Sequence, residues 1–388
     1  MATEVSVATA PEVSQAQSAG RMVSLDFFRG ITIAAMILVN DPGNEHAYRP
    51  LEHADWNGWT PTDLIFPFFM FIVGVSLVMS FASRMKRGAS RAELLRHSLI
   101  RAAIIFAIGV ALHAFPFDYW PIRWVGVLQR IALAYAATAV IVLWVKTTRS
   151  RVIIAAGLLV GYWVLMRFVP VPGFGMPVRD IPFLDPDRNL SAWLDRLIVP
   201  GKLYEITRDP EGILGTLPSI ATVLFGVLTG EWLSSDRSPA RKAVGMLGFG
   251  ALGLVAGELL NFVMPINKKL WTSSYVVFTA GFALAVLVAC YWVLDMKRWR
   301  GWWATPFTAF GMNAIAIYSF AALLADELYR ITLHYDGKRM SLHNYVNIRF
   351  FDRVGDPSMA SLLYSLTFVA VCGLLAYVMY RRRIFLKV

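Results

Sequence analysis

Ten separate stretches of this chain are apolar over a length set by the hydrocarbon core of a bilayer, and that constrains the fold more than any single motif. They fall near residues 25–40, 63–83, 98–115, 124–145, 151–169, 212–233, 242–262, 273–294, 304–325 and 359–380. A helix needs roughly 20 predominantly apolar residues to cross. In lipid every backbone N–H and C=O must also be satisfied, which for runs of this length means helix. Composition agrees: 57% of the residues are hydrophobic, 16% are charged, and the mean hydropathy is +0.53. The sequence therefore predicts an all-α polytopic membrane bundle of about ten transmembrane helices. It forms one domain over 21–388, preceded by a disordered tail at 1–20 that lacks the regions of a signal peptide.

A net charge of +11 invites a nucleic-acid reading, but the basic residues sit between the apolar runs, where insertion into lipid wants them. The connector after the second run carries Arg84, Lys86, Arg87, Arg91, Arg96 and Arg101, and three later connectors on that side carry Lys146, Arg149 and Arg151, then Arg237, Arg241 and Lys242, then Lys297, Arg298 and Arg300. The intervening connectors mix acids and bases. An even number of spans puts both termini on one side, and the charge bias makes that side cytoplasmic. The chain is expected in a bacterial inner membrane with lipid as its surroundings and no nucleic-acid partner. Outer loops lie at 41–62, 170–211 and 326–358; the second includes a short amphipathic segment, SAWLDRLIVP. Cys290 and Cys372 fall inside spans and read as small buried hydrophobes.

The loop at 41–62 holds two of the six histidines, His46 and His53, among Asn, Asp, Glu and Trp. Its end, Thr60-Pro61-Thr62-Asp63, has the form of a helix start with Asp63 at the third position. Asp63 therefore reads either as a capping acid or as part of a site, and Ser24 and Asp26 carry the same ambiguity at the first span. His53 lies just upstream, where an imidazole is a competent general base or nucleophile; a lone loop histidine also serves as an ordinary hydrogen-bonding residue. Trp56 and Trp59 offer flat faces for a sugar ring or anchor the interface. Gln129, Arg130, Glu258 and Asn313 fall at membrane depth. An arginine at mid-bilayer costs at least about 2.5–3.5 kcal/mol unless paired or wet, so Arg130 should face a cavity or an acid. Gly226 and Gly230 have the spacing of a close helix crossing. His46 and His53 are seven residues apart with no further ligand in a metal-binding pattern, and no metal is expected.

Eight ordered blocks carry a resemblance. They are SLDFFRG at 24–30, VN with its glycine turn at 39–43, HADWNGWTPTDLIFPFFMFIVG at 53–74, GVLQRIALAY at 126–135, DPEGILGTLPSI at 209–220, PINKKLWTSSYV at 265–276, TPFTAFGMNAIAIY at 305–318 and YRRRIFLKV at 380–388. Together they resemble the catalytic domain of the heparan-α-glucosaminide N-acetyltransferase family and its bacterial relatives, and more distantly, through the D-x-x-R-G pattern at Asp26–Gly30, the broader integral-membrane acyltransferases. Residues 170–208 depart from that pattern.

The resemblance implies an enzyme that uses cytosolic acetyl-CoA to acetylate a glucosamine or small glucosaminide on the far side of the membrane. It places the active-site histidine at His53, with Asn40, Asn57 and Asp63 as catalytic partners. Arg29, Gln129 and Arg130 are then candidates to hold acetyl-CoA, and Trp56, Trp59, Asp26 and Asn313 to hold the acceptor. A homodimer is compatible with it. The competing reading is an amino-sugar or sugar permease, since buried polar groups in ten spans also describe transporters. The dense loop at His53 and the lack of an evident internal repeat favour the enzyme.

Overall fold

The computed structural model describes residues 22–117 and 120–386; the tail expected at 1–20 lies outside them. Among the described residues nine helices are long and apolar enough to cross a membrane. In chain order the helices are α1 Val23–Asn40, α2 Ile65–Lys86, α3 Arg91–Ala114, α4 Val127–Trp144, α5 Thr148–Phe168, α6 Leu190–Ile198, α7 Thr216–Ser234, α8 Pro239–Asn261, α9 Ser273–Tyr291, α10 Ala304–Met312, α11 Ala314–Arg330, α12 Leu342–Val346 and α13 Pro357–Arg381. Several starts carry a local signal. Before α3, Ser90 and Glu93 cap each other's backbone N–H groups, and Pro239 opens α8 at a position where no intrahelical donor is lost.

The ninth predicted run is corrected. It is two helices, α10 and α11, meeting at 88°, and α11 extends to Arg330. At the break Asn313 leaves helical geometry; its Oδ1 accepts the Leu386 N–H at 2.9 Å and its Nδ2 donates to the Ile384 carbonyl at 3.1 Å, tying the C-terminal segment to the break. A small antiparallel hairpin, β1 Thr332–Tyr335 with β2 Lys338–Ser341, qualifies the expectation of a purely helical chain. The amphipathic segment in the 170–211 loop is α6, which starts at the Asn189 cap.

Helices α2, α4 and α7 are buried along most of their length, whereas α8 presents most of its apolar surface outward, as a lipid-facing helix should. The α2–α7 crossing depends on glycine. A Cβ on Gly226 would lie 2.0 Å from the Phe71 carbonyl oxygen, and one on Gly74 would lie 1.9 Å from that of Val223. The backbones touch there, so the Gly226 spacing read from the sequence does mark a close crossing.

Contacts between connectors sort them into two faces. The 41–62 loop bonds to the segment at 262–272 and to the start of α13, and the segment before α4 bonds to residues 202 and 209. At the other ends of the helices, the Ser24 N–H donates to Asp295 and Thr148 donates to Glu231. The first group is called the His53 face below, and the second the terminal face.

Candidate active site

The short 3-10 turn Pro61–Leu64 runs into α2, and Asp63 on it is 1% exposed. Its Oδ2 accepts the Thr60 N–H and the Ala54 N–H, both at 3.0 Å. Its Oδ1 lies 2.8 Å from His53 Nδ1, and the buried Tyr275 hydroxyl donates to its backbone carbonyl. Both sequence readings of Asp63 have a contact to rest on: one oxygen closes the turn and the other lies against a histidine.

An ionised carboxylate only accepts, so the proton between the pair belongs on Nδ1 and the lone pair on Nε2. The His53 side chain is 46% exposed, which puts that lone pair within reach of a solute. Lys268 Nζ stands 2.9 Å from Nδ1, 3.3 Å from Nε2 and 3.4 Å from Asp63 Oδ1. With Nδ1–H directed at Asp63, the lysine can donate only to Nε2. Burial lowers the Lys268 pKa, against the opposing charges of Asp63 and Glu211.

Two connectors brace this pair. The Gly58 N–H donates to the Ile266 carbonyl at 2.7 Å, and Asn267 Nδ2 donates to Asn57 Oδ1 at 3.2 Å. Lys268 and Asn267 were not singled out in the sequence. The available signal was a pair of adjacent lysines in a short connector, inside the block PINKKLWTSSYV.

The remaining predicted residues separate into three places. Asn40 and Gln129 line a cavity of about 270 Å³ beside Asp41, His113, Tyr318 and Asp326. A narrower apolar space lined by Ile33, Met36, Phe69, Ile131 and Ile315 shares Val127, Leu128 and Tyr318 with it and runs on between α1, α4 and α11. Arg130 is not at mid-depth; α4 begins at Val127, so Gln129 and Arg130 occupy its first turn. The Arg130 guanidinium, 2% exposed, donates to the Gly212 carbonyl at 2.9 Å and lies over the Trp271 ring. Its Nε and Nη1 have no protein partner. Glu258 is likewise near a helix end, exposed beside Asn261.

Arg29 and Asp26 form the second place, about 20 Å down α1 from Asn40 at 1.5 Å per residue. Arg29 bonds Asp26 at 3.1 Å, the Gly311 carbonyl at 3.2 Å and Ser76 Oγ at 2.6 Å. Arg29 thus joins α1, α2 and α10, with Asp26 beside it. Asn313 is tied to the C-terminal segment at the α10–α11 break.

The tryptophans are the third group. Trp56 Nε1 donates to the Leu184 carbonyl at 2.9 Å and Arg208 covers its ring, while Trp59 packs against Phe278 and Phe282. Both serve the scaffold.

Arg123 links the segment before α4 to the 209–212 turn, with Nε 2.8 Å from Asp209 Oδ2 and Nη2 against both Asp209 and Glu211. Burial pulls its pKa down, but the Asp209 hydrogen bonds and the Glu211 and Asp209 charges outweigh that and hold it above the usual arginine value. Breaking a buried pair from one side typically costs about 3–5 kcal/mol, because the remaining charge is stranded. We expect Arg123→Leu to lower the melting temperature in detergent markedly, and Arg123→Leu combined with Asp209→Asn and Glu211→Gln to recover most of the loss. A single variant as stable as the wild type would show that the network holds nothing.

Asp41, at the end of α1, is pushed up to about 7 by burial and by the Asp326 charge. Raised above its unfolded value of 3.8, it contributes full stability below about pH 4 and loses it as pH rises through 7. The stability of Asp41→Asn relative to wild type should therefore improve between pH 5 and pH 8. Melting curves at the two pH values check this, and a gap independent of pH would remove Asp41 as a buried acid.

Fold and site together define a polytopic helical membrane protein with an aspartate-oriented histidine at one mouth of its bundle. Residues 21–256 match the family model described as heparan-alpha-glucosaminide N-acetyltransferase, catalytic. The heparan-alpha-glucosaminide N-acetyltransferase of Homo sapiens is 30% identical over 421 residues, covering 95% of this chain and 60% of that protein. The protein of that name from Mus musculus is 29% identical over 424 residues, covering 96% and 61%. The chain belongs to the heparan-alpha-glucosaminide N-acetyltransferase family. It spans about three fifths of the length of these relatives.

Proposed function

We propose that the protein moves an acetyl group from acetyl-CoA to the amine of a glucosamine or glucosaminide on the His53 face of the membrane. The observation that carries this is the Asp63–His53 pair, 2.8 Å apart, inside the segment that matches the family's catalytic model. His53 Nε2 takes the proton that the acceptor nitrogen loses as the new N–C bond forms. The C–S bond of the thioester breaks in the same transfer, and the imidazolium returns its proton to the departing sulfur, which leaves as the free thiol of CoA. Asp63 stabilises the imidazolium that forms and keeps the ring from turning. Asn40, on the cavity wall, is the candidate donor to the developing oxyanion, a contact worth about 2.7–4 kcal/mol in known acyl-transfer sites.

The fit to the donor is partial and informative. The cavity beside Asn40 carries Asp41, His113, Gln129 and Asp326 among its apolar lining, and neither it nor the narrow apolar space beyond it is lined by Lys or Arg, so this region does not suit a polyanionic nucleotide. The nucleotide belongs in water beside the basic connectors of the terminal face, which the positive-inside rule makes cytoplasmic.

The permease reading would draw support from the broken α10–α11 pair, a transporter feature. The Asn313 amide at that break is committed to the C-terminal segment, which leaves the enzyme better supported. Purified protein given acetyl-CoA and glucosamine should release free CoA thiol. Absence of release together with uptake of labelled glucosamine into proteoliposomes would instead establish the permease.

A further inference from the structure

The loop after α11 closes over the start of the 41–62 loop and leaves a second cavity of about 470 Å³ on the His53 face. It stands directly over the deeper one. Asn40 and Asp41 line the deeper cavity and Pro42 to Glu45 the outer; Asp326 lines the deeper and Tyr329, one helical turn on, the outer.

Asn347, on the wall of this outer cup, is 4% exposed. Its Nδ2 donates to the His343 carbonyl at 3.0 Å, which fixes the direction of the amide. Its Oδ1 is buried with no hydrogen-bond partner, an arrangement native proteins rarely leave unanswered. Gly43 leaves space beside that oxygen, since a Cβ there would sit 2.6 Å from it. Glu45 and Asp352 add two exposed carboxylates. Neither pairs with a Lys or Arg among the described residues, and no Lys or Arg lines the cup. The Tyr329 ring, 53% exposed, supplies an apolar wall. A hydroxyl-rich ring with one positive charge answers each feature: hydroxyls for Asn347 and Asn344, an ammonium for the carboxylates, a pyranose face for the tyrosine.

We propose that this cup captures the amino-sugar acceptor in its ammonium form, ahead of the transfer step; the proposal rests on the acetyltransferase reading. Two carboxylates favour the protonated amine, and an ammonium has no lone pair with which to attack a thioester. The cup is therefore a holding station: the ammonium gives one proton to water as it leaves the carboxylates, and His53 takes the second as the N–C bond forms.

The test measures sugar binding to the full-length protein in nanodiscs, without acetyl-CoA, by calorimetry or saturation-transfer NMR. Glucosamine should bind at least about tenfold more tightly than glucose or N-acetylglucosamine, a factor of ten being the scale of one good charged contact. Glu45→Gln combined with Asp352→Asn, both at exposed positions, should lose that preference with the melting temperature unchanged. His53→Ala should keep it. Glucose binding as tightly as glucosamine, or glucosamine binding unaltered by the double substitution, overturns the cup even if CoA is released. A wild-type protein that binds glucosamine in the cup yet releases no CoA overturns the acetyltransferase reading and leaves the cup standing.

Discussion

Replacing His53 with alanine should reduce acetyl transfer by at least about 10²–10⁴-fold, the range typical of a lost general base, while the protein stays folded and inserted. The expectation of an intact fold rests on what the ring does not hold. It is 46% exposed, so little burial is lost. The loop that carries it is fixed by other groups: the Gly58–Ile266 backbone bond, the Asn57–Asn267 amide pair, and Asp63 Oδ2 with its two N–H donors. Nor is Asp63 stranded when the ring goes, because Lys268 Nζ remains 3.4 Å from Oδ1. Release of CoA thiol and the thermal melt, read on the same preparation, separate chemistry from folding. A variant that turns over near the wild-type rate would take His53 out of the reaction, and the Asp63 arrangement would then be a helix cap that happens to touch a loop histidine.

The bundle was legible in the sequence because its constraint is strong and local. Each apolar run must bridge the hydrocarbon core as helix, and nine of the ten do so close to their predicted limits. The break in the run at 304–325, which passes as a span only with α10 and α11 taken together, is equally physical. Hydropathy reports that a residue avoids water; it does not report direction, and Asn313 inside an apolar run could not reveal that its amide would cap a distant C-terminal segment. Gln129 lines the cavity beside Asn40, whereas Arg130 and Arg29 sit against protein partners that no spacing in the sequence marks. Arg29 bonds Asp26, Gly311 and Ser76, on its own helix and two neighbouring ones, and such contacts relieve the cost of burying a charge.

At the site, Asp63 stood out through the Thr60–Asp63 capping pattern and His53 as a loop histidine just upstream, singled out by the resemblance that its HADWNGWT segment carries. Lys268 did not stand out, being brought over the imidazole by a connector more than two hundred residues away. Pairings across such separations follow from packing, and one sequence does not encode them in any local spacing.

Asp63→Asn should abolish transfer nearly as completely as His53→Ala, with much less damage to the fold than Asp63→Ala. The amide oxygen of an asparagine has to face the Thr60 and Ala54 N–H groups, because two donors already point at the Oδ2 position from 3.0 Å. Its NH2 then occupies the Oδ1 position, 2.8 Å from His53 Nδ1. A donor there demands a lone pair on Nδ1, so the ring proton moves to Nε2 and the base is disabled. The corresponding carboxylate-to-amide change at a histidine in serine proteases lowers kcat by about 10⁴ for this reason, and a loss of about 10²–10⁴ is expected here. Lys268 also loses its anionic neighbour. Stability should fall only modestly in Asp63→Asn, since both turn N–H groups keep an acceptor. Asp63→Ala removes that acceptor and leaves the two N–H groups unanswered, at about 1–3 kcal/mol each, and its melting temperature should drop accordingly. The tautomer is observable directly: 15N NMR of the labelled histidines should show His53 protonated at Nδ1 in the wild type and at Nε2 in Asp63→Asn. An Asp63→Asn protein that retains turnover, or one whose His53 keeps its proton on Nδ1, would mean that the carboxylate closes the turn and does nothing for the imidazole.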